Sequence, residues 1–293
     1  MMRAVMAAVL VAMAGPWPAA AADAPFVMPA PQMLEAATLR HYPAAEADQG
    51  VAVDGVHFYA IDNSDIGKYR LSDGVRVAGW SSPKGGLVKH INSCLAADGR
   101  LICANSNYSD VPMGSSVEIF DTATMRPVES HSLGMMDEGS LVWMQPLSDG
   151  WLAGFAHYDR NDGRGGVGFK DSRYSNVVRL DERYRRVGGW LLPDAVLARL
   201  KPHATSGGAL GPDGLLYVLG HDRPELYVLA RPVMGPVLVH VATIAVPDAP
   251  GQAFSFVPGR REIMAISRTA SQVVHLRLPS VSMDGVARLA TPF

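Results

Sequence analysis

HINSCLAADGRLICANSNY, residues 90–108, is the stretch whose reading decides the fold. Apolar residues fill the middle of each half, polar residues gather at the outer ends, and Asp98-Gly99 sits between the halves. Asp-Gly suits a two-residue hairpin because both central positions of a type I′ turn need positive φ. That turn fixes the pairing outward: Ala97 with Arg100, Ala96 with Leu101, Leu95 with Ile102, Cys94 with Cys103. The cysteines then face each other at a non-hydrogen-bonded position, where Cα atoms approach to about 4.5 Å, the low end of what a disulfide accepts. The pattern predicts a cross-strand bridge whose small loop adds modest stability. Two unlinked core thiols are the alternative.

The same plan recurs. VAVDGVHFYAI turns at Asp54-Gly55, PLSDGWLAGFA at Asp149-Gly150, LGPDGLLYVLG at Asp213-Gly214 and FVPGRREIMAI around Gly259-Arg260. A third strand follows each hairpin (IGKYRL, SVEIFD, NVVRLD, ELYVLA, VVHLRL), and a fourth follows most (VRVAGW, PVESHS, VGGWLL, VLVHVATI). Four antiparallel strands in roughly 45 residues is the signature of a propeller blade. The expected fold is all-β: a five-bladed β-propeller of four-stranded antiparallel blades. Its last blade lacks an outer strand after VVHLRL, and residues 38–43 (TLRHYP) are placed to supply it, which leaves no free edge there. A competing closure takes the outer strand from residues 285–290 and assigns 38–43 to a cap or a degenerate sixth blade.

SVEIFDTAT (116–124) followed by a strand resembles the repeat of bacterial surface and periplasmic propellers of the WD40/YVTN general type. The five-repeat pattern that carries the resemblance covers about residues 38–279. The chain is also similar to secreted proteins loosely labelled cycloisomerase-like. These resemblances imply a fold, and propellers host lyases, hydrolases, isomerases and binding modules alike. The Trp-Asp dipeptide of WD40 blades is missing, which argues against a WD40-style scaffold role.

Residues 1–22 read as a signal peptide: Arg3, then the eleven-residue apolar run AVMAAVLVAMA, then Ala20-Ala21-Ala22 as a small-residue cleavage site. The run is too short to span a bilayer. Residues 23–37 read as a linker and 38–293 as a single propeller domain. A periplasmic or secreted monomer is expected, and two cysteines fit that compartment. The formal net charge of −2 without a long run of one sign argues against nucleic acid and anionic membrane surfaces as partners.

In a blade, the first strand starts on the face of the disc where the second strand ends, close to the axis, and the Asp-Gly turns lie on the other face. The strand starts carry Asp48-Gln49, His90-Ile91-Asn92, Gly139-Ser140, His203–Ser206 and Gly251-Gln252. The strand ends carry Asp62-Asn63, Asn105–Tyr108, His157-Tyr158-Asp159, His221-Asp222 and Arg268. Eight residues beyond the turn aspartate fall Asp62, Ser106, His157 and His221, with Arg268 equivalent in the fifth blade. The turns repeat but these stations do not, which reads as a site on the axis. A water-filled channel of satisfied polar groups is the bland alternative. Insertions at 109–115, 160–175 and 193–205 rise on this face, as lids and binding walls do.

His90, His157 and His221 are the candidate ligands for a divalent metal ion, with Gln252 or Asp222 as further ligands, since imidazole suits zinc, manganese, iron or copper. The candidate catalytic residues are His90, His157, Tyr158, His221 and Arg268: imidazole or phenolate takes a proton next to a uronate carboxyl, and Arg268 holds the carboxylate. The candidate ligand-binding residues are Gln49, Asn63, Asn92, Asn105, Asn107, Tyr108, Asp159, Ser206, Asp222 and Gln252. The leading reading is an enzyme acting on a saccharide or a small hydroxylated or carboxylated ligand by lyase or isomerase chemistry. The rival is a non-catalytic ligand- or protein-binding propeller. Glycoside hydrolysis comes third, since no Glu stands at a station. Trp80, Trp143, Trp151 and Trp190 read as packing between blades, with Trp143 as a candidate sugar platform.

Overall fold

In a computed structural model, which describes residues 26–159 and 170–293, the chain forms five four-stranded antiparallel blades. Blade 1 runs Gly50–Val53, His57–Ile61, Asp65–Arg70, Arg76–Ser81, and blade 2 His90–Ala97, Arg100–Ser106, Gly114–Asp121, Arg126–Met135. Blade 3 runs Ser140–Leu147, Gly150–Ala156, Asn176–Leu180, Arg186–Leu191, and blade 4 Gly207–Leu210, Leu216–Leu219, Glu225–Pro232, Val239–Ala245. Blade 5 has Gly251–Phe256, Glu262–Ser267 and Gln272–Arg277, and takes its outer strand, Ala37–Pro43, from the N-terminal side of the propeller. The first strands contact one another in sequence around the axis, and Gly251–Phe256 returns to Gly50–Val53. The result is a closed five-bladed propeller.

The expected closure by residues 38–43 is the one present: Tyr42 pairs with Val273 and is 4% exposed, its ring 5.0 Å from Phe58 of blade 1. The competing strand at 285–290 goes elsewhere. Ala290–Thr291 pairs with Arg231–Pro232 beside blade 4, and Val286 and Ala290 pack into the core between blades 4 and 5. The segment expected as a linker contains a strand. Gln32–Glu35 lies parallel to Val239–Ala245 and widens blade 4, anchored by paired hydrogen bonds between the Gln32 amide and the Ser282 backbone. Among the described residues, strand structure thus begins at Gln32. The expected signal peptide and the Gly-rich insert at 160–169 lie outside the described residues. Among the described residues, no helix is long and apolar enough to cross a membrane.

The hairpin at Asp98-Gly99 follows its expected geometry. Both residues have positive φ, 48° and 72°, and the register pairs Cys94 with Cys103, which are disulfide-bonded at a Cα separation of 4.0 Å. Elsewhere Asp-Gly recurs for another reason. In blade 3, Leu147 pairs with Gly150, so the turn is Ser148-Asp149, one residue earlier than expected. In blades 1 and 4 the loops are longer, 54–57 and 211–215, and the aspartate carboxylate closes them. Asp54 accepts from the backbone N–H groups of Val56 and His57, at 2.8 and 2.7 Å, and from the Tyr59 hydroxyl at 2.7 Å. Asp213 accepts likewise from Leu215 and from Tyr217.

Buried apolar side chains form clusters that fall between neighbouring blades: Tyr42, Phe58 and Ile266 between blades 5 and 1, Tyr59, Ile91 and Leu101 between 1 and 2, Val117, Leu141 and Phe155 between 2 and 3. The propeller is therefore held by blade-on-blade packing rather than one central core. Trp143 belongs to this packing and not to a sugar platform. It is 1% exposed, its indole N–H reaches Thr205 Oγ1 at 3.3 Å, and a Cβ on Gly154 or Gly208 would lie 2.1 or 2.4 Å from its ring. The indole fills a slot that exists because two glycines face it from blades 3 and 4. Overpacking such a site costs about 1–3 kcal/mol. Gly154→Ala is accordingly expected to lower unfolding stability by that amount in urea melts, and an unchanged midpoint would contradict the slot.

Candidate functional site

The strand starts and ends converge on one axial pocket of about 420 Å³. Blade 1 supplies Gln49 and Asn63; blade 2 supplies His90, Asn92, Tyr108 and Ser109. Tyr158 comes from blade 3, His203, Ser206 and His221 from blade 4, and Gln252 and Arg268 from blade 5. Backbone hydrogen bonds between blades fix these stations: Ile91 N–H donates to Asn63 O at 2.8 Å, Gln252 N–H to Gly220 O at 2.8 Å, and Ala253 N–H to Gln49 O at 3.0 Å.

Arg268 is already engaged. Its Nε donates to Asp48 Oδ1 at 3.0 Å and its Nη2 to Asp48 Oδ2 at 3.3 Å, and Gln49 Nε2 donates to the same carboxylate at 3.1 Å. Its charge is balanced and its fork is occupied, so it does not stand ready to hold a ligand carboxylate. Next to it, His90 Nδ1 bonds Asn63 Oδ1. Burial holds the His90 imidazole neutral, pushed down to about 4.

On the opposite wall one carboxylate serves two histidines. His203 Nδ1 donates to Asp222 Oδ2 at 2.6 Å and His221 Nδ1 to Asp222 Oδ1 at 2.9 Å. The rings stack, 4.0 Å between centroids and 23° between planes. Burial lowers the His221 pKa, against the opposing pull of Asp222. Burial acts to raise the Asp222 carboxyl, but the hydrogen bonds from His221 and His203 leave it below its ordinary value. Tyr158 meets both rings edge-on, at 5.0 and 6.4 Å, and Tyr108 stands 5.7 Å from Tyr158, so the two tyrosines form an aromatic wall.

The structure divides the residues singled out from sequence. Gln49, Asn63, His90, Asn92, Tyr108, Tyr158, Ser206, His221, Gln252 and Arg268 come together at the pocket. Five do not line it. Asp222 stands behind the histidine pair. Asn105 accepts from the His90 N–H and donates to Ser116; Asn107 braces its own loop through Pro112 and Gly114. Asp159 accepts from the Ser172 N–H at 2.8 Å. His157 is the main correction. It is 3% exposed, its Nε2 lies 3.4 Å from Asp137 O, and its N–H bonds Ser175 Oγ, all behind the pocket wall. The turn of blade 3 closes one residue early, so His157 falls past the strand end and Tyr158 takes the pocket position. A one-residue slip reverses which side chain faces the axis.

The set His90, His157 and His221 therefore does not form a metal site. Among the described residues, the His/Asp group close enough to consider is His203, His221 and Asp222. The stack weighs against it. Face-to-face imidazoles send their in-plane lone pairs along nearly parallel lines, whereas a tetrahedral ion needs ligands that converge. His203 and Ser109 are the lining residues to which the sequence pattern assigns no role. His203 follows the helix Asp194–Leu200, whose Val196, Leu197 and Leu200 are buried between blades 3 and 4. Its relation to Asp222 is visible only once the blade is folded.

No protein-family model matches the chain, and no curated protein matches it. Solved structures with related coordinates include a chain of the mitotic checkpoint complex, at 10% identity and TM-score 0.47, covering 92% of this chain and 100% of that one. The Cps50 (Swd1) β-propeller domain of Myceliophteria thermophila aligns at 11% identity and TM-score 0.41, over 79% of this chain and 83% of that one. The Pan2 WD40 domain of Neurospora crassa aligns at 8% identity and TM-score 0.45, over 85% and 98%.

His90 makes the site pH-sensitive. Its ordinary value is 6.5 and its folded value about 4, so the unfolded chain binds the extra proton between these limits. Its contribution is complete above pH 6.5 and is lost as pH falls towards 4, reaching about 3 kcal/mol by linkage. Urea unfolding of His90→Gln across this range is expected to lose stability on acidification less steeply than the parent. Equal slopes would contradict the buried neutral imidazole.

Proposed function

We propose that this β-propeller scaffold binds a small, uncharged, polyhydroxylated ligand of the saccharide type in its axial pocket. One observation carries the reading: two polar atoms in the lining, Gln252 Nε2 and Ser206 Oγ, are buried without a hydrogen-bond partner among the described residues. Unpaired buried polar groups cost about 1–3 kcal/mol each, so their partner is something that enters the pocket. Gln252 adds a backbone cost. It holds a positive φ of 77°, a conformation uncommon for non-glycine residues.

The remaining lining supports an uncharged ligand. Amide side chains, hydroxyls and imidazoles surround the cavity, burial favours the neutral forms of His90 and His221, the tyrosine wall offers a face for a sugar ring, and the lining arginine, Arg268, is paired with Asp48. The oriented His221 favours a catalytic reading with lyase or isomerase chemistry, but that chemistry needs a free cation for the developing enolate. Hydrolysis needs two carboxyl groups about 5–10 Å apart, and among the described residues no carboxylate lines the pocket. Binding without catalysis is the better-supported reading. Export directed by residues 1–22 belongs to the same proposal; a periplasmic product starting near Asp23 supports it.

The test pairs a thermal-shift panel of neutral and acidic saccharides with Ser206→Ala. A ligand at a hundred times its Kd adds about 2.7 kcal/mol, a rise of several degrees for a domain of this size. Ser206→Ala, which removes an unpaired buried hydroxyl, is expected to leave the unliganded melt undiminished or to raise it, and to weaken binding by roughly three- to tenfold, the worth of one hydrogen bond. A structural Ser206 would do the reverse, lowering the unliganded melt and sparing affinity.

A further inference from the structure

We infer that His203 and His221 together form a vicinal-diol subsite, taking two hydroxyls on adjacent carbons of the ligand, one on each Nε2. This deepens the reading of the pocket above and rests on it.

Asp222 sets the orientation of both rings. A carboxylate that accepts from both Nδ1 atoms places a hydrogen on each Nδ1, so in the neutral imidazole the lone pair lies on Nε2. The two oxygens of one carboxylate each hold one ring, so the rings lie in register and stack at 4.0 Å. Their Nε2 atoms therefore point the same way, separated by about the stacking distance. Both histidines line the pocket and Asp222 does not, so the Nε2 edges are the ones turned to the cavity. Neither Nε2 has a hydrogen-bond partner among the described residues. Neutral imidazole is an acceptor there, and burial favours the neutral form of His221.

Two parallel acceptors side by side select a donor pair of matching spacing. Hydroxyls on adjacent carbons, when gauche, project in nearly one direction and close together. Hydroxyls one carbon further apart diverge unless both are axial on a ring, and a carboxylate offers no donor. The Tyr158 ring, edge-on to both imidazoles, holds the pair from the side and presents an apolar surface to the carbons that carry the hydroxyls. Gln252, whose backbone N–H bonds Gly220 O next to His221, brings an unpartnered amide N–H to the same wall. It can donate to a hydroxyl oxygen whose own proton goes to an imidazole. The subsite thus reads both ends of a hydroxyl.

The test follows imidazole and amide resonances of the isotopically labelled protein while two isomeric probes are titrated: vicinal cis-cyclohexanediol, and the trans isomer with its hydroxyls one carbon further apart. The probes share composition and apolar surface and differ in how the two hydroxyls are disposed. The vicinal isomer is expected to move both Nε2 nitrogens upfield and to bind at least about threefold more tightly, a margin within the worth of one hydrogen bond. His203→Phe, which keeps a stacked ring but removes the acceptor, is expected to abolish the preference. Equal binding of the two isomers, movement of only one imidazole, or an Nε2–H tautomer in either ring overturns the subsite, and the tautomer is read from the parent protein whether or not the variant folds. If the probes move Gln252 and Ser206 but neither imidazole, the subsite falls and the pocket reading stands. If no pocket resonance moves, the subsite falls, and the saccharide panel with Ser206→Ala judges the pocket reading separately.

Discussion

Pairing of Ala37–Pro43 with Gln272–Arg277 turns a row of blades into a ring. Without it, blade 5 would present an unpaired strand edge, and blade 1 would lose the Tyr42 ring that packs on Phe58. Closure also brings Gly251–Phe256 against Gly50–Val53 and so joins the Ala253 N–H to Gln49 O at the pocket floor. The pocket is a product of closure, because its residues come from all five blades and none of the blades could assemble it alone.

Within the ring, stability and function occupy different places. Apolar clusters between blades, exemplified by Trp143 in its slot between Gly154 and Gly208, supply the packing. The carboxylates of Asp54 and Asp213 lock the turns on one face. On the other face polar side chains are held by bonds from neighbouring blades, and a few atoms are left unspent. In the proposed reading, that asymmetry separates a binding pocket from a tube of satisfied polar groups. Amides such as those of Asn105 and Asn107 have protein partners; among the described residues Gln252 Nε2 and Ser206 Oγ do not.

The fold was legible where local rules act over a few residues. Asp98-Gly99 dictates a register that carries through to Cys94 and Cys103, and the spacing of the hairpins counts the blades. The closing strand was legible because an incomplete fifth blade needs one. The parallel strand at Gln32–Glu35 was hidden, since four residues with a solvent-facing Met33 carry no strong pattern. At the site, counting residues from the turn located His221 and Arg268 but misjudged His157. The count assumed one turn length, whereas the turns differ between blades, and in blade 3 the shift is a single residue. His203 escaped for a different reason. Its significance lies in sharing Asp222 with His221, a contact between a segment after a helix and the end of a strand. Arg268 was legible as a station, but its pairing with Asp48, distant in sequence, reverses what its charge can do.

The central claim is that the pocket recognises hydroxyls through uncharged groups, its cation being neutralised from within. Calorimetric comparison of a neutral saccharide with the uronate that differs only by its carboxylate, at pH 7.5 and low salt, tests this most directly. The account predicts tighter binding of the neutral sugar and little change in its affinity as salt is raised. Tighter binding of the uronate, weakening steeply with salt, would mean that Arg268 leaves Asp48 to hold the ligand, and would contradict it.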